Sequence, residues 1–140
     1  MRVLFVCLGN SCRSQMAEGF ARSLGAGLWE VDSAGLSPAT WISSPTRYVM
    51  AEKRIVLDDH FPKGLEEVRL DDYDLVVNMS GFDLPPEVKA PELRWDVLDP
   101  IGGPEKTYRK VRDQIEELVR GLLEEVRTGV RGFRQGSGRI

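Results

Sequence analysis

Arg2-Val3-Leu4-Phe5-Val6-Cys7-Leu8-Gly9-Asn10-Ser11-Cys12-Arg13-Ser14 decides how the rest of this chain is read. Its first half is a continuous β-branched and aromatic run, the pattern of a strand buried on both faces. Its second half is a short loop. A segment from Arg13 to Leu24 follows, with apolar residues at Met16, Ala17, Phe20, Ala21 and Leu24. That is helical spacing, and Gly25 is a natural stop. The quoted stretch is therefore a strand, a loop and the first turn of a helix.

Further strands are expected at Leu28–Val31, Tyr73–Met79 and, more weakly, Leu93–Val97. Ser44-Pro45 reads as a cap followed by proline at the first helical position, opening a helix that continues over Thr46–Lys53. Tyr108, Val111, Ile115, Leu118, Leu122 and Val126 form an amphipathic stripe, which predicts a final helix from about Glu105 to Arg127. Strands alternating with helices imply an α/β fold, a parallel sheet flanked by helices in three layers. In such sheets ligands bind beyond the carboxyl ends of the strands, where Cys7 ends the first strand.

The remaining bulk properties narrow the function. The chain has 140 residues, enough for one domain with one core. This domain is assigned to residues 1–127, and the Gly/Arg-rich residues 128–140 are read as a flexible tail. The net charge of −3 excludes general nucleic-acid binding. No window is long and apolar enough to span a membrane, and Val3–Leu8 is too short for a signal-peptide core. A cytoplasmic monomer is expected. The two cysteines, Cys7 and Cys12, make no disulfide framework. No His/Cys/carboxylate cluster has metal-ligand spacing, so neither a metal nor another cofactor is expected.

The loop itself carries chemistry. Gly9 and Asn10 tolerate left-handed backbone angles and allow it to curl. Curling turns the N–H groups of Leu8, Gly9, Asn10, Ser11 and Cys12 inward as a nest for an anion, and the following helix adds the positive end of its dipole. Arg13 supplies a planar fork suited to two phosphate oxygens. The same positive field favours the thiolate of Cys7, the nucleophilic form, and Ser14 is placed to donate a hydrogen bond to it. Neither a Walker-type loop nor a dinucleotide fingerprint is present.

Val6–Ser14, followed by Met16-Ala17-Glu18, resembles the low-molecular-weight protein tyrosine phosphatase family and, equally, its thioredoxin-coupled arsenate reductase branch. The resemblance covers roughly residues 1–127 and includes Asp32-Ser33-Ala34-Gly35, Asp99-Pro100 and the final helix. It implies a flavodoxin-like sheet in the order 2-1-3-4 and hydrolysis through a phosphocysteine on Cys7. It also implies that Asp99 is the general acid, with Asp96 in reserve. Asn10 resembles the residue that holds the loop in shape, Ser33 a hydroxyl bonded to it, and His60 a further support of that network. Trp41 and Leu8 correspond to the cleft wall, where Trp41 suits an aryl group.

The chain departs from the pattern in two places. Ile101-Gly102-Gly103 stands where the phosphatases usually carry tyrosines. Met79–Pro85 lacks the two further cysteines that the reductases place after the third strand. An internal three-cysteine relay is thus impossible, and arsenate reduction would need an external thiol. The sequence therefore points to a phosphomonoesterase acting on phosphotyrosine proteins or small aryl phosphates. An external-thiol arsenate reductase and a non-catalytic phosphate-binding module are the alternatives. Cys12 is either a buried packing residue or the partner of Cys7 in a reversible protective disulfide.

Overall fold

The computed structural model describes residues 1–129. Strands β1 (Arg2–Cys7), β2 (Glu30–Gly35), β3 (Leu75–Asn78) and β4 (Glu92–Arg94) form one all-parallel sheet in the order β2-β1-β3-β4. Three α-helices, α1 (Arg13–Leu24), α2 (Ser44–Ala51) and α3 (Glu105–Thr128), complete the fold. The expected α/β class and strand order are both present.

Side chains alternate across β1, so the central strand feeds two cores. Val3, Phe5 and Cys7 join the larger cluster with Met16, Phe20, Met50, Ile115 and Leu122, contributed by the three helices. Leu4 and Val6 face the other way and pack with Ala34, Leu65, Tyr73 and Val76. That second face is covered by two single-turn 3-10 helices, Leu65–Glu67 and Leu70–Asp72, and by the irregular chain before β4.

β1 and α1 lie where the apolar run and helical spacing put them. β2 does not: it is Glu30–Gly35 rather than Leu28–Val31. Its register against β1, from Arg2 opposite Glu30 to Cys7 opposite Gly35, takes Asp32 and Ser33 into the sheet. Hydrogen bonds of these two polar side chains permit this. Tyr73 Oη donates to Asp32 at 2.9 Å, and buried Ser33 is bonded on both sides. β3 and β4 are shorter than expected, and the β4 strand begins at Glu92. Ser43, one residue earlier than expected, caps α2 by accepting from Thr46 N–H at 3.3 Å. α3 buries Arg112, Val119 and Leu123 beside the expected stripe and runs to Thr128, one residue into the segment read as a tail. Residues 130–140 of that segment lie outside the described residues. No helix among the described residues is long and apolar enough to cross a membrane.

Candidate active site

β1 delivers Cys7 to the carboxyl edge of the sheet, and the loop to Arg13 turns there. Asn10 takes a left-handed φ of 50°, which supplies the curl. The carbonyls of the loop are tied outward. Those of Cys7, Leu8, Gly9 and Ser11 accept from the N–H groups of Leu36, Ser37, Ala39 and Ser43 at 3.1, 2.8, 2.9 and 3.2 Å. Asn10 O accepts from Gln15 Nε2, and Cys12 O from Met16 N–H. With the carbonyls held away from the centre, the N–H groups from Gly9 to Arg13 have no acceptor among the described residues. They are left to an anion, at the head of α1.

Gly35 makes this arrangement possible. It lies opposite Cys7 in β2, and a Cβ there would come within 2.8 Å of both Asn10 N and Leu8 O. Gly35→Ala is therefore expected to push the loop off its geometry. A displacement of about 1 Å costs around a hundredfold in turnover. Steady-state kinetics on the folded variant check this, and unchanged kcat/KM would refute it.

The sulfur of Cys7 lies beside Ser14. Ser14 N–H points at Cys7 Sγ from 3.4 Å, and Ser14 Oγ is 2.9 Å away. Asn10 Nδ2 donates to Ser14 Oγ at 2.7 Å and to Ser33 Oγ at 2.9 Å. The amide of Asn10 is oriented by Lys63 N–H and Gln15 Nε2, both donating to its Oδ1, at 2.9 and 3.0 Å. Burial pushes the thiol of Cys12 up to about 12, so it stays protonated at neutral pH. Both thiols are free.

Arg13 is buried and anchored from behind. Its Nη1 donates to Met79 O at 2.6 Å and Val97 O at 3.1 Å, at the ends of β3 and the chain after β4. This leaves the Nε/Nη2 edge to face a ligand. Asp99 Oδ2 lies 3.4 Å from Nη2, and its other oxygen accepts from Ile101 N–H at 3.1 Å. The carboxylate is thus paired with the guanidinium of Arg13, the residue that follows the loop. The reserve candidate Asp96 has no such contact; it lines an adjacent cleft of about 230 Å³ with Arg94 and Trp95.

The wall residues are open to solvent. Trp41 is 73% and Leu8 37% exposed, and Ile101 is also exposed. All three sit on connections leaving the carboxyl edge of the sheet. His60 is brought to the network, with Nδ1 2.8 Å from Gln15 Oε1. Because Gln15 Nε2 is already donating, its oxygen accepts, and His60 carries the proton on Nδ1.

Burial, ahead of the repulsion from Arg22, Lys63 and Arg47, holds the His60 pKa below its ordinary 6.5, against the pull of Glu18. The unfolded chain then binds a proton that the folded one resists. Stability is unaffected above pH 6.5 and falls as pH drops below it. The acid-side fall in melting temperature is expected to shrink in His60→Gln, as measured by thermal scans across that range.

Gln15 and Glu18 were not legible as site residues. Both are buried, because the first nine residues of α1 are buried on all sides. The available signal was a run of three polar residues, Arg13-Ser14-Gln15, and then Glu18, on a turn that faces the loop rather than solvent. Among the described residues no group of three or more His, Cys, Asp or Glu side chains is placed to hold a metal.

The four-stranded parallel sheet thus carries a loop running from Cys7 to Arg13 at its carboxyl edge, at the head of α1. The family model for low molecular weight phosphotyrosine protein phosphatase matches residues 2–84, and the chain belongs to that family. It is 40% identical over 130 residues to the glutaredoxin arsenate reductase of Synechocystis sp., covering 89% of this chain and 98% of that protein. A solved arsenate reductase in its phosphate-binding state superposes with a TM-score of 0.84 at 38% identity, covering 89% and 98% of the two chains. The YwlE arginine phosphatase from Geobacillus stearothermophilus gives 0.80 at 32% identity, covering 91% and 94%. The chain is thus an enzyme-family member near the arsenate reductase branch.

Proposed function

We propose that this protein is a metal-independent phosphomonoester hydrolase of the protein tyrosine phosphatase type, a cytoplasmic monomer working through a phosphocysteine. Cys7 thiolate attacks phosphorus, an S–P bond forms, and the ester P–O bond breaks. Asp99 gives its proton to the departing oxygen. Water then attacks phosphorus, Asp99 takes the water proton, the S–P bond breaks and inorganic phosphate leaves. The loop N–H groups and Arg13 hold the phosphoryl oxygens throughout. The observation that carries this reading is Asp99 beside Arg13, an acid at the loop's lip that a mere phosphate-binding module has no use for. Exposed Leu8, Trp41 and Ile101 suit an apolar or aryl leaving group, as in a phosphotyrosine protein or small aryl phosphate.

A second reading rests on the similarity to arsenate reductases. Arsenate would bind in the same loop, and Cys7 would attack arsenic. With only Cys7 and Cys12 in the chain, an external thiol must then take up the oxidation. The test is p-nitrophenyl phosphate hydrolysis in chelator, for wild type and Asp99→Asn, beside arsenate-dependent consumption of glutathione or thioredoxin. Chelator-resistant hydrolysis that falls in the Asp99 variant supports the first reading. Arsenate-dependent thiol consumption without hydrolysis replaces it with the second. Phosphate binding with neither activity leaves a binding module.

A further inference from the structure

β4 ends at Arg94, but its alternation of faces runs on to Val97. Leu93, Trp95 and Val97 pack into the larger core. Glu92, Arg94 and Asp96 are left to the opposite face, where Arg94 and Asp96 are exposed. There Asp96 lines the cleft of about 230 Å³ together with Arg94, Gly81 and Arg13. Arg13 therefore belongs to two spaces. It follows the anion loop, and it forms a wall of this cleft. Its Nη1 is held at 3.1 Å by Val97 O, the residue next after Asp96. A group carried beside a phosphate on Arg13 meets the cleft directly.

The charges of the cleft are unequal. Arg94 is already spent, with its Nε donating to Glu92 at 2.7 Å and its Nη2 to Asp83 at 2.9 Å. The carboxylate of Asp96 has no hydrogen bond or ion pair among the described residues. Only its backbone carbonyl is bonded, by Gln114 Nε2 at 3.0 Å. Once a phosphate engages Arg13, the carboxylates of Asp83, Glu92 and Asp96 stand against the single guanidinium of Arg94. The phosphate itself adds about two negative charges. The connection from Leu36 to Ser43, which ties the loop carbonyls, carries no charged residue and offers no competing field. A cation beside the phosphate is drawn into the cleft, and an anion is repelled.

We infer that Asp96 is a specificity-determining residue: the cleft beside Arg13 takes a lysine or arginine that neighbours the phosphotyrosine, and Asp96 pairs with it. This rests on the phosphatase reading and narrows its substrates to phosphoproteins with basic residues around the phosphorylated side chain. Glutamate or aspartate at the same place is selected against, so the discrimination has an attractive and a repulsive part.

The test uses two phosphotyrosyl peptides that differ only in carrying lysine or glutamate on both sides of the phosphotyrosine. The readout is the ratio of their kcat/KM values at low salt, which cancels any change in intrinsic turnover. Asp96 is exposed, so the pair has the strength of a surface ion pair. Wild type is expected to favour the lysine peptide about three- to tenfold, and added salt should shrink the ratio. Asp96→Asn should bring it most of the way to one, and Asp96→Lys should invert it. A wild-type ratio near one would overturn the inference. So would a ratio that both Asp96 variants leave unchanged, including the case in which both peptides slow equally, which is the behaviour of a structural or acid role.

The same two peptides are titrated against Cys7→Ser, with and without each Asp96 substitution, by fluorescence anisotropy. Hydrolysis of p-nitrophenyl phosphate with no preference between the peptides sinks the inference and keeps the phosphatase reading. A lysine preference in binding that follows Asp96, in a protein whose wild type hydrolyses neither peptide, retains the inference and sinks only the catalytic reading. Binding of neither peptide overturns the inference.

Discussion

Cys7→Ser is expected to abolish turnover of p-nitrophenyl phosphate while leaving phosphate binding in place. Serine keeps the size and hydrogen-bonding shape of the position, so the outward-tied loop carbonyls and the free N–H groups of Gly9 to Arg13 survive. What is lost is an ionisable nucleophile. A serine hydroxyl needs an adjacent base, and the atoms nearest position 7 are donors from Ser14. A nucleophile knockout costs about four orders of magnitude or more in turnover. Inorganic phosphate should still raise the variant's melting temperature, because it stabilises whatever state it binds. Retained turnover would show that the reaction does not pass through Cys7. Loss of phosphate binding as well would show that the sulfur helps to build the anion site.

Arg13→Lys should be nearly as damaging. A guanidinium can bond Met79 O and Val97 O with one nitrogen and offer its other edge to a phosphate at the same time. An ammonium is a single point of donation and must choose. If it stays with the carbonyls, the equatorial oxygens lose their charged donor. If it moves to the phosphate, two buried carbonyls lose theirs. The expected loss is about a hundred- to a thousandfold in kcat/KM, the scale of one preorganised charged donor. The binding of inorganic phosphate should weaken in parallel. Kinetics and phosphate titration by calorimetry read both, and a variant within a few-fold of wild type would remove Arg13 from the mechanism.

Much of this arrangement was open to reading in the amino acids. β1 was legible because a buried central strand must be apolar at every position, and α1 because its apolar spacing ends at Gly25. Cys7, Asn10 and Ser14 are joined by hydrogen bonds within the loop, and Asp99, singled out by the family resemblance, lies 3.4 Å from Arg13 Nη2. β2 was misplaced because a strand whose polar residues are satisfied by side chains elsewhere in the fold has no apolar signature. Asp32 needs Tyr73, 41 residues away, and Ser33 needs Asn10 and Glu18. Gln15 and Glu18 were illegible for a related reason. A glutamate four residues before an arginine on a helix looks like a solvent-facing pair. Only the approach of β2 and of the chain around His60 buries it.

The connection from Phe61 to Lys63 has no regular secondary structure, yet it reaches the site three times. Phe61 O accepts from Gln15, Lys63 N–H donates to Asn10, and Lys63 O accepts from Gly35 N–H. Irregular segments of this kind are where native proteins open transiently, well below the cost of global unfolding. An opening here would release Asn10 Oδ1 from Lys63 N–H and with it one tie on the loop. Amide hydrogen exchange in this stretch should therefore track the lifetime of the competent site. A ligand that wedges this connection open would loosen the loop without touching Cys7.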